Sequence, residues 1–93
     1  MTLSTLALAK ARDAAAAILD ELGLDAYLFE VEPRDGDWEL RVECAVNEGW
    51  ENVVLRVPAA ELQAAVDDED VRARLRRRWG EALAACRRAG EHP

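Results

Sequence analysis

The chain has 93 residues, about half of them apolar and a third charged, with a formal net charge of −7. These proportions exclude a disordered polyelectrolyte and fit one small globular domain spanning residues 1–93. No apolar run reaches the length of a membrane span, and residues 1–9 lack the basic start and cleavage site of an export signal, so the expected location is cytoplasmic.

The first predicted element is a helix over 4–22. Leu8, Ala11, Ala15, Ile18 and Leu22 recur at the three-to-four spacing of one helix face, and Ser4 is the candidate N-cap. Gly23 follows where a left-handed residue would end the helix. The period then changes to two. Tyr27, Phe29 and Val31 alternate with Leu28, Glu30 and Glu32, which predicts a strand over 26–33.

Asp35-Gly36 is a hairpin signal, because both central turn positions require positive φ. A second strand over 37–46 carries Trp38, Leu40, Val42, Cys44 and Val46 on its apolar side. Centring the first turn on Asp35-Gly36 sets Tyr27 opposite Cys44, Phe29 opposite Val42 and Val31 opposite Leu40. A second turn at Glu48-Gly49 leads to a strand over 50–57 and sets Cys44 opposite Val53, Val42 opposite Leu55 and Leu40 opposite Val57. That register also aligns Glu30, Arg41 and Arg56 on the opposite, charged face.

Pro58 suits the first turn of a helix over 58–66, and the acidic cluster Asp67-Asp68-Glu69-Asp70 suits the start of another over 68–89. Asp67 is the expected cap, and Gly90 the stop. The two stretches form either two helices or one kinked helix. Val71, Leu75, Trp79, Leu83 and Cys86 give the second stretch its apolar stripe. The predicted fold is therefore α+β, a three-stranded antiparallel meander with helices packed on one face, in the order α-β-β-β-α-α.

Function is less legible. Cys44 and Cys86 both fall on inward faces and read as inert buried thiols rather than a disulfide framework. His92 is the single histidine, so no metal set is expected. Glu30, Glu32, Glu39 and Glu43 read as solvated strand carboxylates, and no glycine-rich phosphate loop occurs. No catalytic residue and no cofactor is expected.

Two surface features remain for a partner. Trp50 stands at the end of the second hairpin, and tryptophan is enriched at interface hot spots. Arg72, Arg76, Arg77 and Arg78 cluster on the last helix, where residues 71–93 carry net +5 against −12 for residues 1–70. The expected function is a small acidic, non-enzymatic accessory or adaptor domain that binds another protein, with a homodimer suggested by small size. The alternative is a nucleic-acid-associated regulator using the arginine-rich helix.

The overall negative charge argues against nucleic acid. The element order resembles that of the double-stranded RNA-binding domain, yet the place of that domain's phosphate-binding lysines holds Asp67-Asp68-Glu69-Asp70. Eleven arginines against one lysine, with abundant alanine, point to a bacterial source with a GC-rich genome.

Overall fold

A computed structural model describes residues 5–24, 26–46 and 49–86. Its elements are α1 (Thr5–Glu21), β1 (Tyr27–Arg34), β2 (Asp37–Val46), β3 (Gly49–Pro58), α2 (Ala59–Asp67), α3 (Glu69–Ala82) and a 3₁₀ turn (Ala84–Cys86). The strands form one antiparallel sheet in the order β1-β2-β3. The predicted α+β class and element order are those of the structure. No helix among the described residues is long and apolar enough to cross a membrane.

The first hairpin follows from its turn. Asp35 and Gly36 adopt φ of 48° and 85°, and the register sets Tyr27, Phe29 and Val31 opposite Cys44, Val42 and Leu40, as the spacing predicts. The second hairpin differs by two residues. Val46 pairs with Gly49, so Cys44 faces Glu51, Val42 faces Val53 and Leu40 faces Leu55. A shift of two leaves every side chain on its expected face, because side-chain direction repeats every second residue. It does change the outer rows. Arg41 lies between Glu30 and Val54, while Arg56 lies opposite Glu39, so the predicted Glu30–Arg41–Arg56 row does not form.

The helices cover the sheet's apolar face. Ala11, Ala15, Ile18, Leu19 and Leu22 of the first helical segment meet Trp38, Leu40 and Val42 of β2 and Leu75, Trp79 and Leu83 of the C-terminal one. All of these are buried, and the molecule is 17 Å across its thinnest direction, as two layers require. The start of α2 is tied to the first hairpin by Ala59 N–H donating to the Gly36 carbonyl at 3.3 Å.

Residues 59–82 form two helices. Asp68 breaks them with extended backbone (φ −110°, ψ 109°), and its carboxylate accepts from the N–H groups of Asp70 and Val71. The cap is thus Asp68 rather than Asp67, which ends α2. Pro58 ends β3 and immediately precedes α2, where its missing N–H costs nothing. The last helix also stops earlier than its apolar stripe suggests. After Ala82 the chain tightens into the 3₁₀ turn that brings Cys86 under β2. The expected cap Ser4, the stop Gly90, and Arg87, Arg88 and His92 lie outside the described residues.

Candidate partner-binding surface

The outer face of the sheet has no described element over it. Side chains there come from Leu28, Glu30, Glu32 and Arg34 of β1, Glu39, Arg41, Glu43 and Ala45 of β2, and Trp50, Asn52, Val54 and Arg56 of β3. At the end near the first hairpin, charge is internally matched. Arg34 reaches Glu39 at 3.0 Å and Glu32 at 3.4 Å, Arg41 reaches Glu39 at 3.3 Å, and Arg56 reaches Asp37 at 3.4 Å. The hydrogen bond from Arg34 holds the Glu39 carboxyl below its ordinary pKa, with Arg41 adding to the effect. The same bond raises the pKa of the Arg34 guanidinium further.

At the other end the face turns apolar. Ala45 is opposite Trp50, which is 60 % exposed, and Val54 and Leu28 are exposed to 57 % and 63 %. Each of the three strands therefore contributes an apolar side chain around Glu43, for which no ion pair is found among the described residues. On the covered face, Tyr27 and Phe29 lie 6.3 Å apart at the margin of the core. Burial, and secondarily the Asp20 carboxylate, raise the Tyr27 hydroxyl's pKa.

The arginines of the last helix occupy the other side of the molecule and do not join Trp50 in one site. Arg72 is half-buried, donating to the Ala65 carbonyl at 3.2 Å and to Glu69 at 2.9 Å. Arg76 pairs with Glu21 of α1, and Arg78 reaches Glu61 of α2 at 3.1 Å. Three of the four candidates thus tie α3 to its neighbours, at a few tenths to about 1 kcal/mol each. Arg77 is exposed beside an open recess formed with Glu21, Leu22 and Gly80.

The cysteines require a correction. Cys44 and Cys86 are not free thiols; they form a disulfide with Cα atoms 5.6 Å apart, both residues fully buried. The signal was present in the sequence, since both positions point inward from elements that pack together. Their separation of 42 residues hid it, because pairing depends on the 3₁₀ turn that periodicity does not announce.

Sequence reasoning also missed an apolar groove of about 740 Å³ between α1 and α2. Leu6, Ala14, Ala17, Leu62 and Val66 line it, with Lys10 and Asp13 at its margin. Small side chains of α1, Ala7, Ala11, Ala14 and Ala17, leave this space. No grouping of three or more potential metal ligands occurs among the described residues.

No protein-family model matches the chain, and no curated protein or solved structure is significantly similar to it.

Proposed function

We propose that this protein is a non-enzymatic accessory module that acts by binding another protein through the uncovered sheet surface around Trp50. The observation that carries this reading is a tryptophan 60 % exposed in a regular strand, opposite Ala45, on a face where exposed Leu28 and Val54 also border Glu43 and whose opposite end is matched by its own ion pairs. Aromatic anchors within a polar surround are the usual centres of binding energy. Arg77, on the other side of the molecule, is a separate candidate contact, whereas Arg72, Arg76 and Arg78 serve the fold.

The test is capture from the native host with wild-type, Trp50→Ala and Arg77→Glu baits, followed by identification of bound proteins. Loss of the same partner in Trp50→Ala, with the helical and strand content unchanged, supports the reading. Retention of every partner in that variant overturns it.

The disulfide bears on the compartment. Buried disulfides persist in oxidising environments and are uncommon in the cytosol. It therefore supports an oxidising compartment over the cytoplasmic location expected from the sequence. Alkylation of thiols in freshly lysed host cells tests this: protected Cys44 and Cys86 support an oxidised protein, and rapid labelling in denaturant without reductant opposes it.

A further inference from the structure

The two edges of the sheet are built differently. Ala45 N–H donates to the Ala26 carbonyl at 3.1 Å, so the backbone groups of Ala45 point toward β1. In an antiparallel sheet that direction alternates along each strand. Applied to the observed register, the alternation directs Tyr27, Phe29, Val31 and Pro33 of β1 to one free edge. It directs Trp50, Asn52, Val54 and Arg56 of β3 to the other.

Pro33 has no N–H, so β1 lacks a donor within its free edge, and Glu30, Glu32 and Arg34 flank the gap with charge. Both are recognised means of blunting an edge against further pairing. β3 carries both devices more weakly: the same alternation turns Pro58 to its free edge only at the last position, and its charges are one of each sign, Glu51 and Arg56. The four edge-facing residues before Pro58 each offer an N–H and a carbonyl. Val53 and Leu55 face the helices but stay half-buried.

We infer that β3 takes a second copy of this chain, strand against strand, to make one continuous sheet. The inference goes beyond the reading of the Trp50 side as a contact surface and names the occupant of the edge beside it. Pairing must keep outer faces aligned and bring the edge-facing residues together. Among such antiparallel registers, the one centred on Val53 engages all four. Trp50 then lies opposite the partner's Arg56, Asn52 opposite the partner's Val54, and the reciprocal pairs follow by symmetry. Each pair exchanges two backbone hydrogen bonds.

A register centred on Asn52 leaves Arg56 without a partner among the described residues, and one centred on Val54 sets Trp50 opposite the donorless Pro58 of the partner. Centring on Val53 also opposes no like charges and stacks a guanidinium near an indole twice. The two Val53 residues form the central non-hydrogen-bonded pair, with Cα atoms about 4.5 Å apart. An interface confined to one edge belongs to the small, reversible class.

Sedimentation of the full chain from micromolar to near-millimolar concentration should show a monomer passing to a dimer. Val54→Pro, which removes an N–H that β2 does not use, should abolish the shift while circular dichroism keeps its native form. An independent arm does not depend on that variant folding. Val53→Cys should oxidise to a covalent dimer at least on the order of tenfold faster than Asn52→Cys or Val54→Cys, since only the central pair lies within disulfide range. A wild-type chain that stays monomeric throughout overturns the inference, as does equal cross-linking of the three variants. A monomer whose Trp50→Ala form loses a different captured protein overturns self-pairing and leaves the interaction reading standing. A dimer whose captured proteins are indifferent to Trp50→Ala supports self-pairing and removes the interaction reading alone.

Discussion

The two halves of this small sheet meet different fates. The β1–β2 half, with the helices beneath it, is closed. Its inward side chains Val31, Leu40, Val42 and Cys44 are buried with Tyr27 and Phe29 half-buried at the margin, its outward charges near the first hairpin are matched, and its edge is interrupted by Pro33. The β3 half is open. Val53 and Leu55 are only partly covered, and Trp50 and Val54 project into solvent. The same alternating pattern produced both strands, so the difference does not come from strand propensity. It comes from what lies above and beside each strand. The lesson is that an edge strand can satisfy the fold with one face and one ladder, and leave the rest of its surface for contact with others.

The contrast can be broken most forcefully from the closed side. Trp79→Ala removes a 2 % exposed indole from the core and should destabilise the protein by about 3–5 kcal/mol in urea unfolding. A cost near zero would mean that the helices do not cover the sheet as described. Reduction of Cys44–Cys86 comes next. Opening a cross-link between residues 42 apart should cost about 4 kcal/mol on a loop-entropy basis, read as a lower midpoint with dithiothreitol present. An unchanged midpoint would show that the 3₁₀ turn is held without the bond.

The open side should behave oppositely. Trp50→Ala should change stability by no more than about 0.5 kcal/mol, because the side chain has little to lose on the surface. A larger destabilisation would place Trp50 in the fold rather than at its contact surface.

The smallest effect concerns the matched charges. Glu39 has a depressed pKa in the folded protein, so its stabilising contribution is present at neutral pH, above the unfolded carboxylate value. It is lost as the pH falls from about 4.5 through the folded value. Arg34→Ala should move the Glu39 titration upward in a carboxyl-detected NMR experiment and flatten this part of the acid limb. No movement would mean that the Arg34 hydrogen bond is absent in solution.

Much of this was readable in advance. The α1 stripe from Ala11 to Leu22, the Asp35-Gly36 turn and the inward set of β2 are local patterns, and each repeats at the period its element demands. Trp50 was legible as a surface candidate because it stands at the start of a strand, just after a turn. The register of β3 was not, since Glu48-Gly49 resembles a turn centre yet Gly49 already pairs with Val46. The arginines misled for a related reason. Their clustering in sequence suggested one basic patch, but successive helical positions point in different directions, and Glu21, Glu61 and Glu69 claim three of them.

By itself, then, the sequence determined which segments become helix or strand and which side of each is apolar, because those properties depend on neighbours within a few residues. It also determined the balance of charge between body and tail. Only the tertiary structure decided the pairing of Cys44 with Cys86, the division of the outer face into a matched end and an apolar end, and the bareness of β3. Each of these depends on residues tens of positions apart meeting in space, and periodicity carries no record of such meetings.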